Sequence, residues 1–132
     1  MGFNEEHAIE TFKSLISIST EAFKALQWLN GGAIVALLAY LGQVAASPSI
    51  VARATFPMTL FVAGLVSSTA AFVTAYLTQL ALHNENISSP TFRGPKHKFW
   101  LWVTFIICIV SIVFFAWGAF ACLNVFSSPA VP

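Results

Sequence analysis

Charged residues are scarce in this chain. Asp, Glu, Lys and Arg make up 8% of its 132 residues, whereas a soluble domain carries about a quarter. No charged side chain occurs in 25–52, in 54–84 or in 99–132. A small domain buries only about two thirds of its unfolded surface. A soluble domain of this length therefore could not bury all the apolar surface of a chain that is 58% hydrophobic. This scarcity argues against a soluble globular protein and predicts contact with lipid.

Groups that carry catalytic or metal chemistry are also few. Both cysteines, Cys108 and Cys122, fall in the last apolar stretch, where we expect apolar packing groups rather than a disulfide or a metal pair. His7, His83 and His97 lie in polar segments. The chain has no pair of histidines at metal-ligand spacing, no glycine-rich phosphate loop and no nucleophile beside a base. We therefore expect no enzyme, no metal site and no cofactor.

The apolar stretches predict an all-α integral membrane protein with three transmembrane helices. About 20 predominantly apolar residues are needed to cross a hydrocarbon core about 30 Å thick. Proline disfavours helix in the residue before it, so Pro48 should end the first helix. Pro57 should stand in the first turn of the second, where its missing N–H costs little. The predicted spans are 25–46, 56–82 and 99–126.

The segment before the first span is predicted to be a cytoplasmic amphipathic stem, 1–24, continuous with the helix of that span. Polar residues recur at three- and four-residue steps and leave an apolar opposite face. Because that face needs a partner, we expect a symmetric homo-oligomer whose stems pack together; the alternative is a stem lying flat on the membrane. The chain thus divides into this stem and a three-helix transmembrane domain, 25–126.

The distribution of cations predicts the orientation. Three spans place the N-terminus and the 83–98 loop on the same side, with five of the six Lys and Arg residues; Arg53 alone lies on the other. Cytoplasmic loops carry the excess of Lys and Arg. We expect a cytoplasmic N-terminus and a periplasmic C-terminus.

Polar and small residues inside the spans are the best candidates for a functional role. They either pack helices within one chain or line a pore between copies, and the sequence leaves both open. The pore interpretation assigns the lining to Glu21, Gln27, Asn30, Ile34 and Leu38. Helix packing is assigned to Gly31, Gly32, Gly64, Ser67 and Ala71. The third span is apolar nearly all round, so we expect it to lie outside the first two.

Two short segments resemble small bacterial membrane proteins: 29–42, LNGGAIVALLAYLG, and 115–119, FAWGA. The likeness covers the general layout of the chain. This layout is similar to that of the membrane effectors of the Hailong antiphage defence system. It implies an oligomeric ion channel of the bacterial inner membrane. Such a channel depolarises the infected cell and is controlled by a partner nucleotidyltransferase that makes a DNA-like oligonucleotide. The alternative is an accessory subunit of a larger membrane complex.

A cluster of basic residues could bind such an anionic regulator. In a ring of copies it would surround the cytoplasmic mouth and contact the phosphates of a nucleotide or oligonucleotide. The ordinary excess of Lys and Arg on cytoplasmic loops would also explain these residues, without any ligand. The cluster consists of Arg93, Lys96, His97 and Lys98.

Overall fold

The protein is all-α and has three helices, each long and apolar enough to cross a membrane. The computed structural model describes residues 3–43, 48–87 and 96–127, and every one of these except Lys96 is helical. The helices are α1 (Phe3–Gln43), α2 (Pro48–Ile87) and α3 (His97–Ser127). These lengths and compositions indicate a multi-pass membrane protein.

Helix α2 is longer at both ends than the span predicted for it. It begins at Pro48 rather than near residue 56, and it ends at Ile87 rather than near residue 82. Pro48 occupies the first helical position, where a missing N–H costs nothing; that role had been predicted for Pro57. Pro57 instead lies inside the helix and is fully buried. It deprives the carbonyl of Arg53, four residues earlier, of its helical hydrogen bond.

Helices α2 and α3 form a closely packed antiparallel pair. The rings of Phe61 and Phe115 lie with their centroids 5.8 Å apart. Farther along the pair, the Thr104 hydroxyl donates a hydrogen bond to Thr74. At the point where α2 ends and α3 begins, Glu85 contacts His97. We call this the His97 end of the bundle, and the opposite end the Arg53 end.

Helix α1 packs mainly on α2 and has much less contact with α3. The edge of the Phe23 ring meets the Phe72 ring, with centroids 5.9 Å apart, and Asn30 meets Gly64. Near the Arg53 end, the Tyr40 ring meets Phe126 of α3, with centroids 4.7 Å apart. Helix α1 is therefore the least enclosed of the three.

No part of the protomer that the structure describes covers the first half of α1. Every described side chain from Glu6 to Ser19 is exposed, including five large apolar ones: Ile9, Phe12, Leu15, Ile16 and Ile18. The apolar residues expected to face a partner are thus open. Within the most apolar window of each helix, no more than 22% of residues are buried, so most of the apolar surface faces outward.

Candidate functional site

The three helices meet at one buried polar contact built around Asn30. This side chain has no exposed surface. Its Nδ2 donates to the Leu26 carbonyl at 2.9 Å and to Ser111 Oγ at 3.4 Å. Ser111 Oγ in turn donates to the Gly64 carbonyl at 2.8 Å. One side chain from α1 and one from α3 thereby connect to the backbone of α2.

Gly64 is required at this contact because no side chain fits there. A Cβ atom at position 64 would lie 2.1 Å from Asn30 Oδ1 and 2.7 Å from its Cγ. Oδ1 has no hydrogen-bond partner among the described residues. The Gly64 Cα atom lies within about 3.6 Å of that oxygen, close enough for a weak Cα–H···O contact. The absence of a side chain on α2 lets α1 approach this closely.

Asn30 lies near the middle of the bundle, measured along α3. Its partner Ser111 is fourteen residues after the start of α3 and sixteen before its end. The sequence had placed Asn30 just inside the cytoplasmic entry of a span that begins at residue 25. Because a helix rises 1.5 Å per residue, Glu21 then lies about 13 Å from Asn30 along α1. A hydrocarbon core about 30 Å thick and centred on Asn30 would end close to Glu21.

By the same measurement, residues 17–24 of α1 lie level with the first part of α3. The division of α1 into a stem, 1–24, and a span that begins at residue 25 stays a prediction.

The five residues predicted to line a pore do not share one face of the protomer. Asn30 is buried, Gln27 and Ile34 are half-buried, and Glu21 and Leu38 are exposed. In this conformation the Asn30 side chain packs inside the protomer. The other four keep exposed surface.

The outer face of α1 carries an open groove of about 710 Å³. We call this groove, with its seven lining residues, the α1 face: Gln27, Trp28, Gly31, Gly32, Val35, Ala36 and Ala39. A Cβ atom added at Gly31 or at Gly32 would meet nothing within 4 Å. These two glycines, predicted to pack helices, therefore make no close contact with the other described residues of the protomer.

Polar groups lie on the α1 face near the middle of the bundle. Gln27 and Trp28 are three and two residues from Asn30, or about 3–5 Å along the helix. Trp28 is 80% exposed, although tryptophan is usually found at the membrane–water interfaces. Within the described residues, the Gln27 amide and the Trp28 indole N–H make no hydrogen bond. Both would be costly against lipid tails.

The other residues predicted to pack helices lie on α2. Gly64 and Ala71 are buried, and Ser67 is half-buried with its hydroxyl donating to the Ala63 carbonyl at 2.8 Å. Gly64 and Ala71 are seven residues apart, so they share the side of α2 that meets its neighbours.

The sequence interpretation missed a stripe on α3. Thr104, Ser111 and Gly118 recur every seven residues and all contact α2. Thr104 donates to Thr74 Oγ1 at 2.9 Å, and Ser111 donates to the Gly64 carbonyl. Gly118 is buried beside the Phe61 ring. The regular spacing of these three small residues was the available signal. Helix α3 is therefore not apolar all round but has a packed side.

At the His97 end, the carboxylate of an acidic residue, Glu85, partly offsets the positive charge of the basic cluster. Glu85 accepts a hydrogen bond from the His97 backbone N–H at 2.7 Å, and its other oxygen lies 2.6 Å from His97 Nδ1. These bonds lower the pKa of Glu85, the backbone bond first and the ring contact second. Lys96 and Lys98 are exposed. Arg93, the fourth predicted ligand residue, lies outside the described residues.

A second ion pair lies on α1, where Lys24 Nζ is 2.9 Å from Glu21 Oε1 and both side chains are exposed. The pair reduces the negative charge that Glu21 could present to a pore. Among the described residues, no three His, Cys, Asp or Glu side chains come together in a metal-binding group.

Comparison with protein-family models, with curated proteins and with solved structures finds no match to this chain.

Proposed function

We propose that this protein forms a homo-oligomeric ion channel in which copies meet along the α1 face. The observation that supports this is the α1 face itself. It carries polar and small residues near the middle of the bundle, and nothing in the described part of the protomer covers it. Small residues allow membrane helices to approach closely, and polar side chains bond across such contacts.

Two sides of α1 would have different roles in a ring of copies. Ala25, Gly32 and Ala39 recur every seven residues, which suits close contact with a neighbouring α1. Gln27, Gly31 and Leu38 lie on an adjacent side, which suits a pore lining. Water in the pore would satisfy the Gln27 amide, while Leu38 would form an apolar constriction. Asn30 would hold each protomer together instead of contacting the ions.

The exposed first half of α1 fits the same assembly. Its apolar residues would be covered by the equivalent segments of other copies. Glu21, eighteen residues before Ala39, lies on the contact side of α1. It would stand between neighbouring helices near the mouth of the pore and attract cations, to an extent limited by Lys24. The distribution of Lys and Arg orients this mouth toward the cytoplasm. Reporter fusions should then place the N-terminus inside the cell and the C-terminus outside.

Assembly can be tested by size in mild detergent. Gly32→Leu adds bulk to the α1 face and should reduce the oligomer to smaller species. Val66→Leu is a matched control because Val66 is exposed on α2, away from this face. A wild-type monomer, or co-purification with one dominant partner, would favour an accessory subunit whose α1 face is covered by a different protein.

Conduction can be tested with purified protein in a planar bilayer. Gln27→Leu should reduce the current several-fold because the pore loses an amide that replaces ion hydration. Thr69→Val is the control: Thr69 is an exposed polar residue at similar depth on α2, and its hydroxyl bonds to its own helix. The pore assignment is wrong if wild type carries no current, or if Gln27→Leu conducts as wild type does.

A role in antiphage defence rests on the sequence resemblance alone. It predicts that overproduction depolarises bacterial membranes, which a voltage-sensitive dye would report. It also predicts an oligonucleotide bound at the basic cluster. Neutralising Lys96 and Lys98, both exposed, should weaken that binding and its salt dependence. Salt-independent binding that survives the change would exclude the cluster as the site.

A further inference from the structure

A cavity of about 370 Å³ opens between the start of α2 and the end of α3. Arg53 and Asn124 contribute its polar wall, and Phe56, Trp117 and Phe120 contribute aromatic side chains. All three aromatic rings are more than half exposed. None of these residues belongs to the α1 face or to the Asn30 contact.

The cavity runs along the direction in which a lipid molecule lies. Arg53 is eleven residues from Gly64, about 16 Å from the mid-bundle contact. A hydrocarbon core about 30 Å thick ends at this level and the headgroups begin. Trp117, six residues after Ser111, lies only about 9 Å from the middle. The wall therefore changes from charged at headgroup depth to aromatic at acyl-chain depth.

Arg53 has no acidic partner among the residues that the structure describes. The chain contains no Asp, and its five Glu residues all lie between residues 5 and 21 or at position 85. Those positions belong to the first half of α1 and to the His97 end of α2. At the Arg53 end, the described residues thus present one exposed guanidinium and no carboxylate. The exposed guanidinium is therefore available to an anion from outside the chain.

We propose that this cavity binds one anionic phospholipid of the leaflet at the Arg53 end. The guanidinium would hold the phosphate through two parallel hydrogen bonds, a geometry that arginine favours. The glycerol backbone and the first part of an acyl chain would lie against Trp117 and Phe120. A lipid with net charge −1 matches the single cation, whereas a choline lipid brings its own positive charge to the site.

Native mass spectrometry of the full chain tests this, with phosphatidylglycerol or phosphatidylcholine added to the detergent solution. Wild type should retain phosphatidylglycerol preferentially. Arg53→Gln should reduce that retention about fivefold, the effect of one cation near an anionic lipid surface. Arg53→Lys should give an intermediate result because it keeps the charge and loses the two-pronged geometry. Lys96→Gln, at the other end, should bind as wild type does.

Two further measurements make the test independent of any folding defect. Phe120→Ala changes a side chain that is 69% exposed, so it should leave the helix content unchanged while weakening lipid retention. Inorganic phosphate in millimolar excess should not displace the lipid, because it has no chain for the aromatic wall. Equal retention by wild type and a folded Arg53→Gln would overturn the proposal. Displacement by phosphate would also overturn it, in favour of a site for free anions.

Discussion

Replacing Gly64 with alanine should specifically weaken the attachment of α1 to the other two helices. The new Cβ would lie 2.1 Å from Asn30 Oδ1, and real Cβ atoms do not approach other atoms so closely. Because Asn30 is fully buried, it has no free space into which to move. It must turn away from Ser111, or the two helices must separate.

The size of the effect follows from three terms. Overpacking a core costs about 1–3 kcal/mol. A lost hydrogen bond between membrane helices costs about 0.6 kcal/mol and at most about 1.7. Alanine has a higher helix propensity than glycine, and this offsets about 1 kcal/mol of the loss. We therefore expect Gly64→Ala to lower the free energy of unfolding by about 2 kcal/mol.

The measurement is reversible unfolding in mixed micelles, with Gly31→Ala as the matched control. Gly31 has open space at its Cβ position, so this change should stabilise the monomer slightly. Asn30→Ala should be destabilising alone but should partly rescue Gly64→Ala, because it vacates the space that the new methyl group needs. The argument fails if Gly64→Ala unfolds within about 0.5 kcal/mol of wild type, the usual spread for neutral substitutions. It also fails if the effects of the two changes simply add.

Two further changes test the α2–α3 pair. Gly118→Ala would place a Cβ 2.8 Å from the Phe61 ring and should cost about 1 kcal/mol or more; Phe61→Leu should restore part of the loss, and purely additive effects would refute the contact. The lowered pKa of Glu85 means that its contribution to stability is present above its ordinary value of 4.5 and is lost as the pH falls through the lower folded value. Glu85→Gln should lower stability at neutral pH and remove that part of the acid dependence in unfolding titrations. An unchanged pH profile would show that its contacts with His97 do not contribute.

Some of the helix boundaries followed directly from the sequence. The third span was expected at 99–126, and α3 runs from His97 to Ser127. The first helix was expected to run without interruption from the N-terminal segment into the first span, as α1 does. The start of the second was misplaced because two prolines, Pro48 and Pro57, each fitted a first turn. Local preference could not decide which of them begins the helix.

The packed stripe on α3 shows why composition alone was misleading. The large apolar residues around Thr104, Ser111 and Gly118 made the helix look uniformly suited to lipid. A single hydroxyl or a missing side chain changes mean hydropathy little, yet it determines where another helix can approach. Contacts between membrane helices depend on such local shape more than on hydrophobicity, because lipid tails are as apolar as leucine.

The sequence by itself determined that the protein is helical and membrane-embedded. Long runs without charge can be placed only in lipid, and a chain segment crossing lipid must satisfy its backbone hydrogen bonds internally, as a helix does. Which way Asn30, Gly31 and Gly32 face was decided only by the tertiary structure. Successive residues of a helix point about 100° apart, so these three could not all meet the same neighbour. Contact with Gly64 and Ser111 turned Asn30 into the protomer and left the two glycines on its outer surface.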